Sequence, residues 1–355
     1  MKKQNNNNKN RGKKIYFYHF VFFLITYFML FIATTNAQFE LPTIGSIKPA
    51  ISLSSDPLIP LPNSTITIAA NLSGVTGGGS SSYVWFLNGT RQNESSGSNK
   101  NSFTFKAGTI GTVYRINVNV TTQGGGALSD AAVFTVSDID LSWNASNEAP
   151  AGYRSKIFPT QNSTISISAL PSIYRPGTKT IIGSDSLIFN WFINDKLESN
   201  KSGTGKSDLS FRVDGFPGSD PRIRLEILTE DKTISLNKFI TIPVVWPQTF
   251  LYLTDNKTAL PYGKALKDFV IKSSTVKSLD FTAENYFFNF PKNQLKWNWL
   301  VDNKEIAGGG DKPWSAVLNI PSGITQPFSF QIKASAKNPQ NDLESAESTV
   351  NLEIK

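Results

Sequence analysis

The stretch SYVWFLNG (82–89) decides how this chain is read, because it returns as IFNWFIND (188–195) and again as KWNWLVDN (296–303). Each copy has an aromatic residue two positions before a tryptophan, two apolar residues after it, then Asn or Asp and a turn residue. The central tryptophans, Trp85, Trp191 and Trp299, stand 106 and 108 residues apart, the span of one sandwich domain. Alternate side chains of a strand share a face, so Tyr83, Trp85 and Leu87 point one way, as do Phe189, Trp191 and Ile193. The spacing therefore predicts three core tryptophans, one per repeat.

Other runs keep register with these anchors. NSTITIAA (63–70) is nearly repeated by NSTISISA (162–169), whereas the third copy starts with LPYG (260–263) and then diverges. Downstream, Phe103 to Phe105, Leu209 to Phe211 and Ala316 to Leu318 fall at almost the same distance from each tryptophan. Alternating runs follow at Ile116 to Val120, Ile223 to Ile227 and Phe328 to Ile332, and last strands are expected near Val133 to Val136, Phe239 to Val244 and Val350 to Ile354. Short strands bounded by turn residues, with no long helical periodicity, predict an all-β chain.

A central tryptophan on the third strand, an alternating apolar strand about thirty residues later and about seven strands per hundred residues resemble immunoglobulin-like sandwiches. The Tyr-x-Trp-x-x-Asn-Gly segment is also similar to the polycystic-kidney-disease-type repeats of bacterial surface and secreted proteins. The resemblance runs from about Ile44 to Lys355 and implies three tandem immunoglobulin-like β-sandwich domains, without the cysteine pair of the usual immunoglobulin domain. The expected domains are 38–138, 139–245 and 246–355.

Residues 1–37 read as a secretion signal. Lys2, Lys3, Lys9, Arg11, Lys13 and Lys14 precede an apolar run from Ile15 to Ala33, and Thr35 and Ala37 put small residues where a signal peptidase cuts. The run is also long enough to span a bilayer as an uncleaved anchor helix, and under both readings the positive-inside rule carries the remainder across. The expected location is extracellular, cell-surface or periplasmic, with membrane contact only through this segment if it is retained.

Setting the signal aside changes the chemistry. Its six basic residues reduce the 35 of the whole chain to 29, against 27 acidic ones, so the net charge falls from +8 to +2. A nearly neutral chain does not predict nucleic-acid binding. The single histidine, His19, and both methionines, Met1 and Met29, lie in the same segment, and there is no cysteine. Nucleophile–histidine catalysis and imidazole, thiolate or thioether metal sites therefore lack their residues. No cofactor, metal or catalytic residue is assigned.

A carboxylate-pair glycosidase needs no histidine, yet sixteen Asp and eleven Glu offer no preferred pair. Asp138 and Asp140 flank the first joint, where calcium could bind with further oxygen ligands, although solvated joint residues are the simpler reading. Trp143 and Trp246 lie near the two joints and suggest packed neighbours. Trp297 shares the core face of its strand only if Asn298 faces out, and Trp314 follows a glycine-rich loop. These two are the candidates for stacking on a ligand ring, against ordinary packing. The leading expectation is a non-enzymatic surface or secreted protein, a stalk of sandwiches for adhesion or envelope assembly with protein or glycan partners. A carbohydrate-binding module and, behind it, a carboxylate glycoside hydrolase remain alternatives.

Overall fold

A computed structural model describes residues 48–75, 80–254, 264–267, 269–271, 277–321 and 326–354. The expected signal or anchor segment, 1–37, and the third repeat's LPYG stretch lie outside the described residues. By contacts, Met1–Ala50 with Leu72–Gly77 form one unit, of which residues 48–50 and 72–75 are described. Ile51–Asn71 with Gly78–Lys355 form the other.

The fold is all-β, and among the described residues the strands form six sheets that pair into three sandwiches. The first sandwich comprises β1 (Ala50–Asp56), β2 (Thr65–Ser73), β3 (Ser82–Leu87), β4 (Thr90–Arg91), β5 (Gly97–Ser98), β6 (Ser102–Lys106), β7 (Val113–Thr121) and β8 (Ala127–Thr135). One sheet has the order β1-β2-β6, and the other β4-β3-β7-β8 with β5 also on β3. The second repeats this plan with β9 (Asp138–Ala145), β10 (Thr164–Ser172), β11 (Leu187–Ile193), β12 (Lys196–Leu197), β13 (Gly203–Thr204), β14 (Asp208–Arg212), β15 (Arg222–Thr229) and β16 (Ser235–Thr241). Its sheets are β14-β10-β9 and β12-β11-β15-β16, with β13 on β11.

The third sandwich is built from β17 (Gln248–Leu253), β18 (Phe269–Ile271), β19 (Ser278–Tyr286), β20 (Lys296–Val301), β21 (Lys304–Ile306), β22 (Ser315–Asn319), β23 (Phe328–Lys337) and β24 (Ser345–Ile354). Here β19 takes the position of β2 and β10, between β17 and β22. The other sheet, β18-β24-β23-β20-β21, gains an edge through the parallel pairing of β18 with β24.

The repeated motif explains why the plan recurs. Alternation buries Ile66 and Ile68 on β2 opposite Phe105 and Phe103 of β6, and Ile165 and Ile167 on β10 opposite Phe211 and Leu209 of β14. Facing them, Trp85, Trp191 and Trp299 are buried to 0%, 0% and 1% exposure. A buried indole N–H needs an acceptor, and each finds one in the main chain. Trp85 Nε1 donates to Lys100 O, Trp191 Nε1 to Lys206 O and Trp299 Nε1 to Pro313 O, all at 2.9 Å.

The turn after each tryptophan strand is equally repetitive. Asn88, Asn194 and Asp302 adopt φ of 50°, 48° and 48°, followed by Gly89, Asp195 and Asn303, also at positive φ. Two successive left-handed residues form the tight hairpin turn that suits strand twist, and Asn, Asp and Gly tolerate it best. The side-chain oxygen of each first residue accepts from the backbone N–H of Arg115, Arg222 or Gln331 at 2.8, 2.9 and 2.8 Å.

Candidate functional site

Side chains with functional potential gather at the joints, because the loops of adjoining sandwiches meet there. At the first joint β8 ends at Thr135 and β9 begins at Asp138. Ser137 donates its backbone N–H to Pro60 O (3.0 Å), and its hydroxyl accepts from Tyr174 N–H (3.2 Å). The Thr135 hydroxyl donates to Thr178 O at 3.0 Å. Ile59 and Leu61 pack against the core of the second sandwich. Asp138 is paired with Lys238 at 3.0 Å, while Asp140 is exposed. Among the described residues no group of three or more His, Cys, Asp or Glu could hold a metal ion.

The second joint is made differently. Glu148 and the Phe287-Phe288 pair form an antiparallel bridge: Glu148 N–H donates to Phe288 O (2.8 Å) and Phe287 N–H to Glu148 O (2.7 Å). Asn147, buried, donates its amide to Phe287 O at 2.7 Å and to the Thr160 hydroxyl at 2.8 Å, while its own Oδ1 has no partner. Asn289 reaches back, donating to Asn162 O (3.1 Å) and accepting from the Ser146 hydroxyl (3.1 Å). Phe287 sits at φ +64°, uncommon for a bulky residue, and its ring meets Phe158 and Tyr153 edge-on at 5.7 and 5.9 Å. Burial, then the Tyr252 hydroxyl at 2.8 Å, pushes the Tyr286 phenol above its ordinary pKa.

Below this aromatic cluster Lys292 pairs with the buried Glu284 at 2.7 Å. Desolvation lowers the Lys292 pKa, and Glu284 partly opposes that shift. The ammonium also lies 5.3 Å from the Trp314 ring centroid, a cation–π distance.

The two stacking candidates, Trp297 and Trp314, are placed as follows. Asn298 faces out and Trp297 therefore faces in, packed with Phe288, Leu295 and Ala336, with Nε1 donating to Lys292 O at 3.1 Å. Trp314 is half-buried beside Lys292, its carbonyl accepting from Ala283 N–H at 2.8 Å. Both rings are half-buried: the strand's alternation turns Trp297 inward, and the Lys292 side chain lies over part of Trp314.

The exposed indole belongs to Trp246, 56% accessible, which sequence reasoning placed at a joint but not in a site. Its ring leans on Phe216 with centroids 6.2 Å apart. Beside it runs a shallow groove lined by Gln161, Pro247, Asn341, Leu343 and Glu344. The Trp246-Pro247 pair was the available signal, since a large aromatic fixed before a proline in a connection has no strand in which to be buried. Asn147, Glu148 and Asn289 carry no periodic signal and were missed.

No protein-family model matches the chain, and no curated protein does. Among solved structures, similarity is found to the three N-terminal domains of the Highly Immunogenic Outer Capsid protein of bacteriophage RB49, at 12% identity over 86% of this chain and 99% of that one (TM-score 0.24). The central fibronectin-III array of RIM-binding protein matches at 11% identity over 86% and 96% (TM-score 0.28). The fibronectin(III)-like modules of Clostridium thermocellum CbhA match at 11% over 54% and 94% (TM-score 0.26).

Proposed function

We propose that this chain is an exported, non-enzymatic interaction and spacer protein of the cell surface or extracellular space. In this reading 1–37 directs export and 38–138, 139–245 and 246–355 are its three domains. The observation that carries it is the construction of the second joint, where backbone pairing of Glu148 with Phe287 and Phe288 joins the second sandwich to the third. An array whose members are fixed to each other holds its loops at constant separation, which is what an adhesion or assembly stalk supplies. The basic, apolar and small-residue zones of 1–37 support export.

Cell fractionation with amino-terminal sequencing tests the first half. A chain starting at Gln38 in the surface or secreted fraction is the expected result, a full-length chain in the membrane fraction selects the anchor reading, and cytoplasmic retention overturns export. Incubation of the mature chain with a polysaccharide panel tests the second half, because turnover would establish a carboxylate hydrolase instead. Affinity capture from surface fractions then identifies the partner.

A further inference from the structure

Of the seven tryptophans, three are core anchors and three are half-buried; Trp246 alone is mostly exposed. Its Nε1 has no partner among the described residues. Leaving an indole in water forgoes burial of one of the largest apolar side chains, and here it does not stand singly. Phe216 is 45% exposed against it, and Leu343 is 58% exposed at the same groove. A contiguous apolar patch with a polar rim marks a binding surface.

The platform is held in place from its backbone. Val245 N–H donates to Pro159 O at 2.9 Å on one side, and Pro247, with its ring-fixed φ, follows on the other. The polar rim carries one ionisable group and two amides. Gln161 and Asn341 contribute amides from the second and third sandwiches, and Glu344 is the one ionisable group in the lining. Glu344 is buried and its carboxylate already engaged, one oxygen accepting from Asn289 N–H and the other from Asn338 Nδ2 at 2.6 Å. The groove is a shallow crease with room for about 10 Å³, little more than one water, far below the roughly 300–1,000 Å³ of pockets that enclose a drug-sized ligand. It therefore suits a ring laid flat on the exposed Trp246 face rather than one enclosed by walls.

We infer that this groove binds a neutral saccharide, one pyranose ring stacking its C–H face on Trp246 while its hydroxyls meet the amides of Gln161 and Asn341. A flat apolar face edged with donors and acceptors is what a sugar ring offers, and the one carboxylate in the lining, Glu344, disfavours an anionic ligand. The inference is independent of the proposed spacer role and assigns stacking to Trp246 rather than to Trp297 or Trp314.

The test is a glycan array of neutral and of sialylated and sulfated oligosaccharides probed with the mature chain, followed by fluorescence titration of each binder. At least one neutral glycan is expected to bind. Trp246→Ala then weakens it about tenfold or more, the loss typical of an aromatic anchor, and Gln161→Ala and Asn341→Ala weaken it less, while Trp314→Ala leaves it unchanged. Trp246→Phe, which keeps a ring, retains part of the affinity and serves if the alanine variant melts early. Absence of any binder, binding confined to anionic glycans, or loss through Trp314→Ala with Trp246→Ala intact overturns the inference. So does a dimer in sedimentation that Trp246→Ala dissolves, which would make the patch a protein contact.

Discussion

Between the first and second sandwiches the connection is short, and Ser137 holds it with hydrogen bonds on either side while Ile59 and Leu61 extend the neighbouring core. Between the second and third, the joining contacts come from residues about 140 positions apart: Asn147 with Phe287, and Ser146 with Asn289. The first joint is ordered largely by the chain that runs through it. The second is ordered by surfaces that recognise each other, so it has more to lose from one substitution.

The sharpest way to break that contrast is Phe287→Ala. Phe287 is buried against Tyr153 and Phe158 of the second sandwich and Tyr286 of the third, and truncation is expected to cost about 3–5 kcal/mol, read as a large shift of the denaturation midpoint in urea. An unchanged midpoint would show that the ring cluster does not couple the sandwiches. Asn147→Ala is next. It removes the donor to Phe287 O and Thr160 Oγ1 and should cost about 1–3 kcal/mol, because buried acceptors lose their partner. Proteolysis between the second and third sandwiches should quicken while cleavage at the first joint does not.

Alkaline titration probes the same cluster. The folded pKa of Tyr286 is raised above the ordinary 10.0, first by burial and then by Tyr252. Its contribution to stability is thus complete below pH 10 and lost as pH rises toward and through the folded value. Melting curves of the wild type should fall over that alkaline range more steeply than those of Tyr286→Phe, and identical slopes would dissociate Tyr286 from the effect. The smallest expected change is Lys238→Ala at the first joint. Its pair with Asp138 is partly exposed, so the loss is about 0–1 kcal/mol and shrinks further in high salt. A greater loss than for Asn147→Ala would reverse the ranking of the two joints.

Sequence carried the sandwiches much further than the joints. The all-β reading, the tryptophan strands and their alternating partners were legible because burying one face of a strand imposes period-two patterning. Trp297 obeys that rule on β20, and the outward Asn298 closes the question its alternation raised. The third repeat was harder, because β19 is buried on both faces around Glu284 and Asn285 and so lacks the clean alternation of β2 and β10. Joint contacts such as Asn147 with Phe287 impose no period at all. Trp246 left one local hint, the proline after it, but its exposure depends on where loops from two sandwiches end.

The indole tethers of the three cores have a consequence for how such a chain can change. Trp85, Trp191 and Trp299 all donate to carbonyls, of Lys100, Lys206 and Pro313, and a carbonyl is supplied by whichever amino acid occupies the position. Lysine stands at this position in the first two copies and proline in the third, and all three make the bond. The segment between the tryptophan strand and its acceptor can therefore be rewritten in side chain, provided its main chain returns to the same point. It is a natural insertion ground for new surface chemistry on an unchanged frame, and copies that drift there would soon cease to resemble one another in sequence.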